Sequence, residues 1–287
     1  MSRNPDFLCV GAQKCGTSWL QQQFNSHPDF WMPPSKEVHY FDCLHRERPL
    51  QRSHRIMRRT LKNCQKRLEE PGSDKKKAAI IEKINWLEFA INSNKSGIDW
   101  YEALFPESRQ NLVRGDITPA YGIISKEDFE FIYNRYPDVK IIFLMRNPVN
   151  RLWSVTKRRV LRKLKRPELL EDHAYLQGLV ENPQKDLRSR YDYTIRILDE
   201  VFPKENILYG FYEEIFASDR ERDDFLVKVC GFLGARADID LFPNRHKQYQ
   251  TSARVEITPD FEAYLESHYS VVRDFVKSRF GYLPAGF

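Results

Sequence analysis

Residues 7–20, FLCVGAQKCGTSWL, set one cation, Lys14, inside a turn bounded by Gly11 and Gly16, with two hydroxyls, Thr17 and Ser18, directly after it. The apolar run before Gly11 reads as a strand, and Thr17, Ser18, Trp19, Leu20 and Phe24 open a helical pattern. A glycine-bounded loop between strand and helix suits a phosphate-like anion. Glycine admits close backbone approach, successive N–H groups point inward, and the helix N-terminus carries partial positive charge. A Walker loop would have lysine directly after the second glycine and then the hydroxyl that holds magnesium, whereas here Thr17 follows Gly16. A magnesium-dependent nucleotide hydrolase is therefore disfavoured. What remains is an anion loop whose single lysine stands where a leaving-group oxygen would develop charge.

A second group of reactive side chains lies in SKEVHYFD, residues 35–42, where Lys36, Glu37 and His39 put a cation, a carboxylate and an imidazole within four residues. A carboxylate beside a lysine acts as a general base when it is partly desolvated and within reach of an acceptor proton; otherwise the same charges simply pair with solvent on a surface loop. His39, Cys43 and His45 match no standard zinc spacing, so no metal is expected. The third group is VKIIFLMRNPVNRLWS, residues 139–154. Its apolar run reads as a strand buried on both faces, with Arg146 at the end, Asn147 as helix cap, Pro148 at the first helical position and Ser154 about two turns in. Arginine offers a forked, permanently charged donor and serine a neutral hydroxyl, so Arg146 and Ser154 can face one monoester phosphate together.

The elements that must position these groups alternate in type. Short apolar segments at 7–10, 30–32, 112–113 (leading into Gly115-Asp116-Ile117), 139–145 and 207–211 are separated by helical patterns, including one marked by Tyr191, Ile195, Leu198 and Phe202 and one by Phe225, Val229, Phe232 and Leu233. Such alternation predicts an α/β fold, a P-loop-type parallel β-sheet flanked by helices on both faces. Residues 44–94 are charged and helix-prone, broken at Pro71-Gly72-Ser73, and read as a helical insertion within a single domain over 1–287. WYEALFP at 100–106 predicts a short helix, and GDITPAY at 115–121 a strand end lining a cleft at the carboxyl edge of the sheet. A basic irregular loop between Phe242 and Val255 carries Arg245, His246, Lys247 and Arg254. One final helix is expected from Pro259, capped by Thr258 and burying Phe261, Tyr264, Leu265, Val272, Phe275 and Val276.

Composition bounds the partners. The 287 residues are 41% hydrophobic and 30% charged, enough for one substantial core, and the five cysteines form no CxxC pair, which suits a reducing compartment. The first predicted strand begins at Phe7 and the longest apolar runs are strand-sized, so neither signal segment nor membrane span is expected and the cytoplasm is the expected location. The net charge of +6 is local. Residues 151–166 hold eight Lys or Arg and no acid, and residues 44–67 hold a second basic cluster. These steer anions or form solvated helix faces; no nucleic-acid signature accompanies them, and no nucleic acid is expected as a partner.

Together these stretches resemble the sulfotransferases that use 3'-phosphoadenosine 5'-phosphosulfate (PAPS). GAQKCGTSWL at 11–20 is similar to the family's 5'-phosphosulfate loop, RNPVNRLWS at 146–154 to its 3'-phosphate site, and SKEVHYFD to the KE-containing segment of the carbohydrate and bacterial branches. The resemblance implies that PAPS is the co-substrate, with no metal. It implies that Gly11, Gln13, Cys15 and Gly16 form the loop, Lys14 contacts the leaving phosphosulfate, and Thr17 and Ser18 hold the 5'-phosphate. Trp19 would then lie against adenine, Arg146 and Ser154 would hold the 3'-phosphate, and Lys247 and Arg254 would be further nucleotide contacts. By the same resemblance Glu37 is the base, with His39 as the alternative. Two departures are visible. The Lys-x-His that steroid and phenol enzymes carry near residues 115–119 is missing, and Ile117 stands where heparan-modifying members commonly have lysine. The expected activity is sulfonyl transfer to a hydroxyl or amine of a small-molecule acceptor, with the insertion as one wall of the acceptor site. The alternatives are a glycan acceptor, a P-loop kinase-like phosphotransferase, and a non-catalytic anion binder.

Overall fold

Five short segments pair in parallel because the chain returns through a crossover after each, bringing every strand to the sheet in the same direction. The computed structural model describes residues 4–109, 111–247 and 255–287. The strands are β1 (Phe7–Gly11), β2 (Phe30–Trp31), β3 (Val113–Ile117), β4 (Lys140–Met145) and β5 (Ile207–Phe211), in the order β2-β3-β1-β4-β5. Phe7 stands level with Gly115 on one side and Lys140 on the other, and Ile141 with Ile207. A Cβ at position 115 would lie 2.1 Å from the Phe7 ring, so that pair requires glycine. The chain leaves β1 toward β3 and β2 in one direction and reaches β4 and β5 in the other. The carboxyl end of β1 is therefore a switch point, where a crevice opens.

Helices cover both faces. α1 (Thr17–Ser26) follows β1; α2 (Gln51–Glu69) and α3 (Asp74–Asn92) form the insertion; α4 (Gly97–Ala103), α5 (Lys126–Arg135) and α6 (Pro148–Arg158) follow in order. The predicted break at 71–73 is the turn between α2 and α3, and the pair is pinned to the body at two indoles. Trp86 Nε1 donates to the Leu104 carbonyl at 3.0 Å, and Trp100 Nε1 to the Ala90 carbonyl at 2.8 Å. Met57, Cys64, Leu87 and Ala90 join the same buried cluster as the sheet. No helix among the described residues is long and apolar enough to cross a membrane.

The C-terminal part differs from the expectation. Two helices, Pro259–His268 and Ser270–Phe280, replace one, with the buried Tyr269 between them. The buried stripe runs through the break as Phe261, Leu265, Tyr269, Val272 and Val276, while Tyr264 is exposed and Phe275 only partly buried. Thr258 makes no side-chain cap, and its hydroxyl is buried without a partner. The basic run 151–166 also does more than continue a helix. It passes from α6 into a π-helical turn, Arg159–Leu164, a local widening found often at functional sites.

Candidate active site

Gly16 caps α1 from the left-handed region at φ +93°, a conformation that suits glycine, and leaves the first-turn N–H groups of Thr17 and Ser18 without intrahelical partners. The other loop glycine has a different reason. Gly11 ends β1 beneath Phe143, and a Cβ there would lie 2.7 Å from that ring, so packing rather than phosphate approach requires it. Cys15 points inward: its thiol is fully buried near Tyr191 and the Gln13 carbonyl, and burial pushes it up to about 12. The Cys15 N–H donates to the Ala12 carbonyl at 3.3 Å, so within this loop it serves the turn itself. Gln13 is half-buried.

Lys14 is half-buried, and its backbone is left-handed at φ +75°. Burial, followed by the charges of Arg158, Arg146, Arg162 and Lys36, pulls its ammonium down to about 8. Two of these arginines, Arg158 and Arg162, come from the basic run that reads in sequence as an undifferentiated cluster; only the π-helical turn shows that they face the loop. Arg146 closes the other side. Its Nη1 donates to the Lys14 carbonyl at 3.5 Å and its guanidinium lies 4.4 Å from the Tyr212 ring centre. Arg146 Nε is buried with no partner, an orphan donor where the sequence places a phosphate. Asn147 caps α6 as expected, accepting from the Asn150 N–H at 3.0 Å, and Ser154 lies two turns in, buried.

The KE segment is a held knot. Glu37 and His39 both have left-handed backbones, at φ +63° and +58°. Among the described residues only four non-glycine positions do so, and three of them are Lys14, Glu37 and His39. Such strain, about 1–3 kcal/mol per residue, persists only where surrounding contacts over-determine the chain. Here those contacts are visible. Ser53 Oγ donates to the His39 carbonyl at 3.1 Å, and the Tyr40 N–H donates to the Tyr121 hydroxyl at 3.1 Å.

His39 is 2% exposed, with Nδ1 3.0 Å from Asp42 Oδ2 and Nε2 3.3 Å from Glu37 Oε2. Burial opposes its charge, but the hydrogen bonds to Asp42 and Glu37 outweigh burial and raise it above the ordinary imidazole range. With a carboxylate oxygen within reach of each ring nitrogen, His39 is better placed to hold Glu37 than to take a proton from an acceptor. Arg52 Nη2 stands 3.4 Å from the same Nε2, which has no lone pair once protonated; the hydrogen bond of this guanidinium goes to Asp42 Oδ2 at 2.9 Å. The Glu37 side chain is 38% exposed. Burial would raise its carboxyl, but His39, Lys36 and Arg52 together hold it below the usual range, so it is ionised at neutral pH.

Behind the knot lies a residue that sequence reading placed only as a cleft edge. Asp116 is buried at the end of β3 and accepts from Thr118 Oγ1 at 2.7 Å, Tyr121 OH at 2.8 Å and Tyr101 OH at 3.3 Å. Burial raises its carboxyl to about 6 against these three hydroxyls. The x-Thr-Pro-Ala-Tyr spacing after Asp116 was the available signal; the Tyr101 partner comes from a distant helix.

Trp19 is 3% exposed, packed against Phe216 and Phe225, with Nε1 donating to the Arg245 carbonyl at 2.8 Å. Its indole therefore belongs to the core and presents no face to a base in this structure. Arg245 pairs with Asp223, and His246 stands near Asp219. Lys247 is exposed, and Arg254 lies outside the described residues. His45 pairs with Asp128 at 2.8 Å, away from His39 and the buried Cys43.

A family model described as "Sulfotransferase family" matches residues 5–238. A crystal structure of a sulfotransferase from Alicyclobacillus acidocaldarius superposes with a TM-score of 0.63 at 22% identity, covering 98% of this chain and 97% of that one. A sulfotransferase from Mycobacterium avium gives 0.52 at 12% identity, covering 96% of this chain and 77% of that one. At these identities the likeness to the two structures is one of fold.

Proposed function

The chain belongs to the sulfotransferase family, and we propose that it transfers the sulfonyl group of PAPS to a hydroxyl or amine of a small-molecule acceptor. The products are the sulfated acceptor and adenosine 3',5'-bisphosphate. The observation that carries this reading is the junction of two anion sites. Arg146, at the end of β4, reaches the carbonyl of Lys14 in the β1 loop, so the two motifs form one basic wall with an orphan donor in it. A nucleotide with phosphates at both ends fits that wall, and the missing lysine after Gly16 disfavours a magnesium-held triphosphate.

PAPS would supply a sulfur whose bond to a phosphate oxygen breaks as its bond to the acceptor forms. The N–H groups of Thr17 and Ser18 would bind the 5'-phosphate, and Arg146 with Ser154 the 3'-phosphate. Lys14 is placed to neutralise charge growing on the departing oxygen. Glu37, ionised and partly exposed, takes the acceptor proton, while His39, held by Asp42, fixes the carboxylate that it donates to. Cytoplasmic location is part of this reading, supported by five buried, unpaired cysteines.

Calorimetric titration with adenosine 3',5'-bisphosphate, with and without magnesium, tests it. Magnesium-independent binding that collapses in Arg146→Ala is the expected result. Binding only of ATP with magnesium would send the chain to the kinase-like alternative.

A further inference from the structure

Between α1 and α3 runs a groove of about 620 Å³, within the range of small-molecule sites. We propose that this groove holds the body of the acceptor and that the body is a neutral, polyhydroxylated ring, as in a glycoside; this rests on the sulfonyl-transfer reading above.

The groove's two sides differ in kind. Ser18, Gln21, Gln22 and Asn25 follow the i, i+3, i+4, i+7 spacing of one helix face, so α1 presents a stripe of uncharged hydrogen-bonding side chains along the wall. Gln21 is 7% exposed, and the amide oxygens of both Gln21 and Gln22 are buried without a partner. Leaving such groups unpaired costs about 1–3 kcal/mol each. Terminal amide torsions are broad and roughly two-fold, so turning an amide over would offer its oxygen to donors lying in the groove.

The opposite surface is apolar. Trp31, Met32, Pro33 and Pro34 line it, and Ala79 on α3, with the smallest side chain of the lining, leaves room there. A ring with one face of C–H groups and an edge of hydroxyls matches both surfaces; a purely aromatic body would leave the amides unpaired. The lining's charges are largely spoken for: Lys36 is held by Ser18 and Glu37, and Glu82 pairs with Arg109 at 2.9 Å, so Lys83 is the one remaining lysine of the lining, fewer cations than a polyanion calls for.

The groove also reaches the chemistry. Lys36 Nζ on its wall is hydrogen-bonded to Ser18 Oγ and stands 3.8 Å from Glu37 Oε1. Lys36 is thus shared between the groove's lining and the proposed base, and an acceptor hydroxyl would pass from one to the other along it. None of this is legible in the chain order, because α1, the Pro33-Pro34 turn and α3 are brought together only by the insertion folding back.

The test is calorimetry in saturating adenosine 3',5'-bisphosphate with three probes: p-nitrophenyl β-D-glucopyranoside, p-nitrophenol and a heparin-derived disaccharide. Two variants accompany the wild type. Ala79→Phe fills the gap from an exposed helix position, and Gln21→Leu removes an amide that has nothing to lose in the apo fold. Glucoside binding is expected in the wild type and should weaken about tenfold or more in Ala79→Phe, the scale of overpacking a fitted site. It should also weaken in Gln21→Leu without loss of thermal stability. No glucoside binding, or binding that both variants leave intact, overturns the groove. Equal binding of p-nitrophenol, or tighter binding of the disaccharide, overturns the ligand class. Titrating the nucleotide alone on the same proteins separates the two readings. Nucleotide binding without glucoside binding sinks the groove alone, whereas glucoside binding that Ala79→Phe abolishes, with no nucleotide binding, sinks the sulfonyl-transfer reading and leaves the groove standing.

Discussion

The carboxyl edge of the sheet and the α2–α3 hairpin are built on opposite principles. At the edge, Lys14, Glu37 and His39 sit in left-handed backbone, Asp116 is buried under three hydroxyls, and His39 is clamped between two carboxylates. In the hairpin, α2 buries only Ser53, Met57 and Cys64, α3 only Leu87 and Ala90, and Ile81 and Phe89 remain 45% and 47% exposed. The hairpin stands on ordinary helical geometry and a few anchors, so it tolerates change. The edge stands on contacts that each hold a strained or charged neighbour, so removing one exposes another. The two regions meet at Arg52 and Ser53, where the start of α2 grips Asp42 and the His39 carbonyl.

The contrast is sharpest in turnover. Glu37→Gln keeps the shape but removes the base, and kcat is expected to fall about 10²–10⁴-fold with nucleotide affinity nearly unchanged; equal loss of both would show that Glu37 serves binding instead. Lys14→Met should lower kcat by about 10²–10³ in steady-state assays, the scale of removing one donor from developing charge. Without substrate, the Lys14 charge is lost as pH rises through about 8, so kcat/KM should decline there, and Lys14→Arg should move that limb to higher pH. An unmoved limb would assign it to another group.

Stability should follow the same division. Tyr121→Phe takes a donor from Asp116 and an acceptor from the Tyr40 N–H, and chemical denaturation should show a loss of about 1–3 kcal/mol. Asp116 is raised to about 6 from 3.8, so the folded state holds its proton where the unfolded chain has released it. Its contribution therefore falls as pH rises from about 4 to about 6. His39 is raised as well, so its stabilising charge is complete below the ordinary imidazole range and is lost as pH climbs through the raised value. At the small end, Phe89→Ser on the hairpin should change stability by no more than about 0.5 kcal/mol. A larger loss would mean that the hairpin is as tightly specified as the edge.

Local pattern carried much of this. The continuous apolar runs of β1 and β4 can be buried only on both faces, Asn147-Pro148 can only start a helix, and glycine at position 16 supplies a backbone that other residues reach with strain. These are consequences of residue type over a few positions, so the α/β fold, the two anion motifs and the KE segment are legible in the chain. The remaining features depend on approach between distant segments. Trp19 looks identical in sequence whether it faces a base or Phe216 and Phe225; Gly11 looks like a phosphate glycine until Phe143 lies over it; Tyr264 reads as part of the buried stripe, and only packing shows that the stripe passes it by through Phe261 and Leu265. His39 illustrates the point in its charge. An imidazole near a glutamate reads as a base in sequence, and only the backbone knot that sets Asp42 at Nδ1 and Glu37 at Nε2 strengthens its hold on a proton. Residue type sets what a group can do, and burial and partners, which are properties of the whole fold, decide which of those things it does.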